Sequence, residues 1–157
     1  MCYTDSMDLN AALQIGVNVR IDVRDDQTGE LLETQNKHNL VTTSGLNILR
    51  DALAGADYDT ALSIFGVGTD NTAVTPSDTG LGNPVHASTM TLIDADSSAQ
   101  IQLVYYLGSS AANGHALKEA GLFTEDVRLF ARVTHSTINK TSSINVAYTW
   151  TVTFTAI

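Results

Sequence analysis

The sequence is poor in cysteine, proline and positive charge. Of its 157 residues, 1 is cysteine, 2 are proline and 8 are lysine or arginine, against 17 aspartates and glutamates. Because Cys2 has no second cysteine to pair with, an intramolecular disulfide and a cysteine-based zinc cluster are excluded. The net charge of −9 repels phosphate groups, so we expect neither nucleic acid nor an anionic membrane as a partner.

Long apolar runs are also missing. No stretch approaches the roughly 18 consecutive apolar residues of a membrane-spanning helix. The first ten residues carry Asp5 and Asp8 but no basic residue and no apolar run, unlike a signal or transit peptide. We therefore expect no membrane span, and synthesis and folding in a host cytoplasm. A hydrophobic content of 43% over 157 residues is enough for one self-supporting core.

Motifs that carry chemistry are scarce. Four histidines are scattered along the chain: His38, His86, His115 and His135. None has the spacing of a metal-ligand pair, and Gly66-Val67-Gly68 lacks the third glycine and the lysine of nucleotide-binding loops. Its glycines are expected to allow a bend or a close approach of the backbone. Acidic pairs fall in predicted turns, where aspartates cap N–H groups. We expect no enzyme, metal or cofactor.

Two stretches alternate strictly between apolar and polar residues, from Ile15 to Val23 and from Ile144 to Phe154. A period of two is typical of a strand with one buried face and one solvated face. Turn residues from Asp25 onward, with Gly29 available for positive φ, predict a hairpin to a second strand over residues 31–37.

One segment has the pattern of a helix. A hydroxyl residue among 42–44 can cap its first turn, and Gly55 stands where a left-handed C-terminal cap belongs. Leu46, Leu49 and Leu53 follow at spacings of three and four, and Ile48 and Ala52 widen the stripe, which predicts an apolar face buried against a sheet.

Shorter apolar runs predict further strands over residues 61–67, 86–93, 100–107, 117–123 and 128–134. Many short strands separated by turns are typical of an antiparallel sandwich or barrel. Residues 68–84 form a loop longer than the 12–15 residues that are usual without a binding role or disorder. The threonines of the last strand are either solvated or covered by a neighbouring subunit, and both alternatives stay open.

Several short sequence motifs are more informative than the amino-acid composition. In order, they are NLVTTSGLNILRD at 39–51, FGVGT at 65–69, DTGLGN at 78–83, KEAGLF at 118–123, LFAR at 129–132 and INKT at 138–141. Together with the closing alternating strand, this ordered set resembles small structural proteins of tailed bacteriophages over roughly residues 16–157. That group includes capsid decoration (cement) proteins and the collar or attachment modules of tail fibres.

The resemblance implies a mainly β, antiparallel, jelly-roll-like sandwich with one helix, acting as a homotrimer on the virion surface. It implies no catalytic residues. The decoration protein would bind the major capsid protein on the outside of the head; the alternative is a tail, baseplate or fibre-root adaptor that binds tail or fibre proteins. Since the sequence ends directly after its last strand, we expect the decoration protein.

Within this interpretation, residues 1–13 form an N-terminal arm and residues 14–157 a single β-sandwich domain. We predict that the arm contacts the coat or a sister subunit through its larger side chains, with a frayed terminus as the alternative. The predicted arm contacts are Tyr3, Met7, Leu9 and Leu13.

Two other sets of contacts are predicted on the body. The long loop is expected to meet an outside partner through Asp70, Asn71, Asp78 and Asn83. Contacts between subunits are expected at Leu122, Phe123, Phe130, Thr149, Thr151 and Thr153; for the apolar ones the alternative is the core of a single chain. Arg128 and Arg132 are expected to pair with neighbouring carboxylates at the surface, where such pairs contribute about 0–1 kcal/mol.

A carbohydrate-binding module is the alternative from a different class. It would use an exposed aromatic ring from among Tyr105, Tyr106 and Trp150 as a stacking platform. Because Tyr105 and Trp150 lie on the apolar sides of their strands, Tyr106 is the fair candidate.

Overall fold

The structure is a computed structural model that describes residues 12–56, 58–95 and 98–157. The elements in chain order are β1 (Leu13–Asp25), β2 (Leu31–Val41), α1 (Thr43–Ala54), β3 (Leu62–Gly68), β4 (Pro84–Thr89), β5 (Leu92–Asp94), β6 (Gln100–Leu107), β7 (Ala116–Thr124), β8 (Leu129–Asn139) and β9 (Ile144–Ala156). Over these described residues, the mainly β class with one helix is confirmed, and every strand pairing is antiparallel.

The two alternating stretches are neighbouring strands near the middle of the sheet. β1 pairs with β9 over the whole of both strands, and with β2 in the predicted hairpin. Gly29 takes the positive φ that the turn requires, +73°. The Asp25 carboxylate accepts a hydrogen bond from the backbone N–H of Thr28 at 2.8 Å, so this turn aspartate caps the backbone as predicted.

The sheet curls so far that one segment of chain bridges its two edges. The strand order is β4-β3-β7-β8-β2-β1-β9-β6-β5, yet β4 and β5 are separated only by Met90 and Thr91. Met90 N–H donates to the carbonyl of Ser63 in β3, and Thr91 N–H donates to that of Val104 in β6. The prediction of one strand over residues 86–93 is therefore wrong: the chain leaves one edge and joins the other at this point.

The core lies inside the curl. The ring of Phe65 in β3 stacks on Tyr105 of β6 with centroids 4.2 Å apart, and it packs against Tyr148 and Trp150 of β9 at 4.8 and 6.4 Å. Strands that are distant in the sheet order thus face each other across the core. We call the side of the sheet that faces these rings the inner face and the opposite side the outer face.

The helix begins and ends where its caps predict. The Thr42 hydroxyl accepts a hydrogen bond from the N–H of Gly45 at 3.0 Å, and Gly55 adopts the left-handed conformation with φ +63°. Both signals were readable in the sequence because each satisfies backbone groups that a helix end leaves unpaired.

The predicted apolar stripe of the helix is only partly buried: Ile48 lies in the core and Leu49 packs against it, but the rest of the stripe is exposed. Leu46 and Leu53 are 52% and 90% exposed, and the buried residues are Gly45, Ile48 and Asp51. Gly45 lets the helix approach the backbone of β8 closely. The carboxylate of Asp51 binds the guanidinium of Arg128, in the turn between β7 and β8, at 2.9 Å. Backbone contact at Gly45, the ion pair of Asp51 and the burial of Ile48, rather than the burial of Leu46 and Leu53, set the rotation of the helix.

Candidate functional site

Residues 69–83, which we call the anchored loop, cover the outer face of β3, β7 and β8. The loop is held by the side chain of Glu119 in β7, which is fully buried. Its carboxylate accepts hydrogen bonds from the backbone N–H groups of Gly82 at 2.9 Å, Asn83 at 2.8 Å and Asp70 at 3.3 Å. One buried carboxylate therefore binds both ends of the loop.

Arg132 in β8 completes the anchor. Its side chain is 3% exposed, and its Nε lies 2.8 Å from Oε2 of Glu119. The two terminal nitrogens bind Asp78 at 3.0 Å and Asp70 at 3.1 Å. The expectation of a surface pair is wrong for Arg132, because one buried guanidinium binds three carboxylates. A buried charge of this kind is costly when its partner is removed.

Hydrogen bonds keep the two loop carboxylates of this cluster ionised. The hydroxyl of Thr72, and then Arg132, hold the pKa of Asp70 below its usual value. Burial alone would raise the pKa of Asp78, but hydrogen bonds from Thr75 and Arg132 outweigh it and lower that pKa. Both carboxylates therefore carry their charge at neutral pH and attract Arg132.

Glycines on the outer face make room for the anchored loop. A Cβ at Gly68 would lie 2.5 Å from the carbonyl oxygen of Asn83. At Gly66 and Gly121, which are paired across β3 and β7, a Cβ would lie 3.2 and 3.0 Å from the side chain of Leu81. The close backbone approach predicted for Gly66-Val67-Gly68 is thus confirmed, and its partner is the loop.

The four predicted loop contacts lie in different surroundings. Asp70 and Asp78 turn inward onto Arg132. Asn83 donates from its side chain to the Thr69 hydroxyl at 2.6 Å, whereas Asn71 is exposed. Three of the four polar groups are therefore engaged within the chain, and contact with an outside partner stays a prediction.

An apolar groove of about 240 Å³ runs beside the anchored loop and is lined by Ile64, Leu81, Phe123 and Val127 among others. Val127 is 63% exposed and adopts φ +66°, a conformation that β-branched residues rarely take. The turn that holds it is closed by a hydrogen bond between the Thr124 hydroxyl and the Asp126 carboxylate. Sequence reasoning missed this groove because its wall comes from the loop.

The outer face of β2, β1, β9, β6 and β5 has a different character, and we call it the open face. Its outward side chains are mostly polar and uncharged, among them Asn18, Asn36, His38, Gln100, Gln102, Thr149, Thr151 and Thr153, and they also include the charged Arg20, Asp22, Arg24 and Asp94 and the larger Leu92, Val104 and Tyr106. All are exposed or half-buried, and a shallow depression of about 420 Å³ lies among them. Two basic side chains of β1 point outward here: Arg20 pairs with Asp22 at 3.0 Å, and Arg24 donates to the carbonyl oxygen of Gly29 at 3.2 Å.

The predicted subunit contacts fall into two groups. Thr149, Thr151 and Thr153 lie on the open face, where another molecule can reach them. Leu122 and Phe130 are buried within the single chain at 0% and 2% exposure, so the alternative, that they form its own core, describes them. Phe123, at 7% exposure, forms part of the groove wall.

The predicted arm lies almost entirely outside the described residues. Tyr3, Met7 and Leu9 belong to residues 1–11, and their predicted contacts stay untested. Leu13, the first residue of β1, is 64% exposed and pairs with Ala156.

Two histidines join the core through tyrosines. Nδ1 of His135 lies 2.8 Å from the carbonyl oxygen of Ser136, a position that only an N–H satisfies. Its Nε2 therefore accepts from the Tyr148 hydroxyl at 3.3 Å. Burial lowers the pKa of His135 and raises that of Tyr148. His86 reaches the Tyr105 hydroxyl at 3.1 Å.

The core residues Tyr105 and Trp150 are too deeply buried to stack on a sugar. Tyr105 is 3% exposed and Trp150 is fully buried, whereas Tyr106 is 48% exposed on the outer side of β6. In the described ranges, no three histidine, cysteine or acidic side chains are grouped so that they could hold a metal ion. The described part of the chain also contains no helix of the length and hydropathy needed to cross a membrane.

Comparison of the chain with protein-family models, with curated proteins and with solved structures finds no match.

Proposed function

We propose that the chain is a non-enzymatic structural protein of a tailed-bacteriophage virion. It acts as a capsid decoration protein that binds the major capsid protein as a homotrimer and stabilises the coat lattice. The observation that carries the proposal is the open face, a broad sheet surface whose central residues are threonines and amides and whose charges, at Arg20, Asp22, Arg24 and Asp94, balance, on a chain of net charge −9.

The composition of the open face suits burial against another protein. Solvated sheet faces usually carry lysine and other charges that prevent association, but Thr149, Thr151 and Thr153 present hydroxyls instead. Short side chains lose little conformational entropy when they are ordered. Asn18 and Gln102, which flank Thr151 on the adjacent strands, add hydrogen-bonding groups. The face therefore supports a subunit contact.

The anchored loop supports a contact on the opposite side of the body. Because Glu119 and Arg132 fix its backbone, the exposed residues near Asn71 are held in one arrangement before any partner binds. Such preorganisation lowers the entropic cost of association. Three copies of the loop in a trimer would further strengthen binding, since linked sites bind at high effective concentration.

The finer description of the fold belongs to the same proposal. A jelly-roll-like sandwich is supported by the packing of Phe65 on Tyr105 across the core and by the passage of the chain between sheet edges at Met90 and Thr91.

The test is to mix the purified protein with expanded, undecorated capsids and to image the particles. Density at three-fold positions is the expected result. Density only at a vertex or on tails would favour the tail or fibre-root adaptor, and bare particles would reject both. Sedimentation of the free protein tests the trimer separately.

A pair of matched variants locates the subunit contact. Thr151→Arg places a long charged side chain in the middle of the open face and is expected to prevent trimer formation. Thr137→Arg, at another exposed position, is expected to leave it intact. A trimer that tolerates both substitutions would place the contact elsewhere.

A further inference from the structure

Beneath α1, the curled sheet leaves an apolar cavity of about 330 Å³ that opens to solvent. Its buried lining includes Ile48 of α1, Phe130 of β8 and Val152 of β9. Its rim includes Phe154 and Ile93, and Ile93 is 53% exposed. The walls offer almost no hydrogen-bonding groups, so the only occupant with favourable contacts is itself apolar.

Water in this cavity is unfavourable. Burying apolar surface contributes roughly 25 cal/mol per Å², and the cavity leaves the side chains of its walls without that contribution. The volume suits two or three side chains of the size of leucine or methionine. A segment that carries such side chains close to the opening would therefore bind there.

The chain itself brings such a segment to the rim. Ile15 of β1 is paired with Phe154, a rim residue. Ala12 and Ile157 exchange two backbone hydrogen bonds of 3.0 and 2.9 Å, so residues 1–11 join the body a few residues from the opening. At about 3.3 Å per residue, eleven residues reach at most roughly 36 Å, and Ala12 lies close along the chain to Ile15, whose partner Phe154 is on the rim.

The sequence of residues 1–11 is suited to this role. Tyr3, Met7 and Leu9 provide large apolar side chains, while Asp8 and Asn10 are residue types that favour reversal of the chain. A segment tethered at the rim is present at an effective concentration in the millimolar range. This favours the arm of the same molecule over that of a second one.

We propose that, in the free protein, the apolar side chains of residues 1–11 occupy the cavity beneath α1 of their own chain. The inference concerns the unassembled molecule and does not rest on the proposed virion function. It gives the arm a docking site on the body, separate from the partner contacts expected after assembly.

The single cysteine makes the proposal directly testable. Cys2 lies in the arm, and Ala52→Cys places a second thiol on the helix wall of the cavity. Under mild oxidation, this full-length variant is expected to form an intramolecular disulfide, seen as a monomer on a non-reducing gel with the loss of two hydrogens in intact mass. Ala73→Cys, on the exposed anchored loop, is the control and is expected to react much more slowly.

Two outcomes of this experiment would overturn the proposal. Equal reaction at the two positions would show that the arm has no preferred site, and a disulfide-linked dimer with Ala52→Cys would place the arm in a second molecule. Neither result bears on capsid binding, so failure here is distinguishable from failure of the proposed function.

An apolar fluorescent dye provides a second, independent readout. 1-Anilinonaphthalene-8-sulfonate is expected to bind weakly to the full chain and severalfold more strongly to the double variant Met7→Asp, Leu9→Asp, whose arm can no longer fill the cavity. Thr4→Asp changes the charge of the arm without removing an apolar side chain and is the control. Dye binding that is the same in the chain and the double variant overturns the proposal.

Discussion

The outer face of the curled sheet is covered in one half of the sheet and exposed in the other. On β3, β7 and β8 the outer face is covered by the chain's own loop, which Glu119 and Arg132 bind from below. On β1, β9 and β6 the outer face carries threonines and amides and stays open. Both halves follow the same alternation of inward and outward residues, so the period alone does not decide which face is covered.

The identity of the outward residues decides which half of the outer face is covered. Glycines at positions 66, 68 and 121 remove the side chains that would hold a loop away, and a buried ion cluster then fixes the loop in place. Among the described residues, the open face has no comparable buried cluster: its pair between Arg20 and Asp22 has one partner 54% exposed. An outward glycine beside a buried charge is thus a signal of a covered face, whereas outward threonine signals a face available to other molecules.

The largest expected effect comes from breaking the buried cluster. Arg132→Met leaves the carboxylate of Glu119 buried without its cation, and we expect the free energy of unfolding to fall by about 3–5 kcal/mol. Arg20→Met removes the exposed pair on the open face and is expected to cost about 0–1 kcal/mol. Urea unfolding of both variants measures the difference. Similar losses would mean that the two halves do not differ in this way.

Substitutions at two glycines test the same difference between the covered and the open half, with smaller expected changes in stability. Gly68→Ala forces the new methyl group against the backbone of Asn83, and overpacking of this kind costs about 1–3 kcal/mol. Gly16, outward on the open half, has no atom within 4 Å of an added Cβ. Gly16→Ala is therefore expected to raise stability by about 0.5–1 kcal/mol, since glycine weakens a strand. The comparison fails if both changes have the same sign.

Much of the fold could be predicted because local chemistry determines it. The β1–β2 hairpin, the helix caps at Thr42 and Gly55 and the long final strand all follow from period, turn and cap residues. The break at Met90 and Thr91 could not be predicted, because a strand that changes sheet edges keeps its local pattern. The helix rotation was predicted only in part for a related reason: Ile48 is buried as expected, but Asp51 is buried by its ion pair with Arg128, which hydrophobicity does not report.

The candidate surfaces were predictable only in part. The threonines at 149, 151 and 153 could be placed on one face from alternation alone, and Phe130 could be given a core role as an alternative. The anchor could not be foreseen, because Glu119 and Arg132 meet Asp70 and Asp78 only through tertiary contact. A charged residue inside a run of apolar ones, as Arg132 is, was the signal available.

A smaller effect is expected in the core, where His135 of β8 meets Tyr148 of β9 across the curl of the sheet. Burial lowers the pKa of this histidine, so the native state keeps it neutral at pH values where the unfolded chain, with a pKa of about 6.5, is protonated. Unfolding then takes up a proton, and stability falls as the pH drops below about 6.5. His135→Gln is expected to flatten the profile between pH 7 and 5. An unchanged slope would assign the effect to other groups.

The smallest effect concerns Val127, which stands at the end of the covered half. Its φ of +66° is unfavourable for a β-branched residue, and relief of such a conformation contributes about 1 kcal/mol. Val127→Asn is expected to stabilise the protein by about that amount, because asparagine tolerates the left-handed region and Val127 is 63% exposed. Val104→Asn, in the extended strand β6 of the open half, is the control and should destabilise. Loss of stability in both variants would mean that the groove contacts of Val127 outweigh its backbone strain. Those contacts would then stabilise the turn more than the positive φ destabilises it.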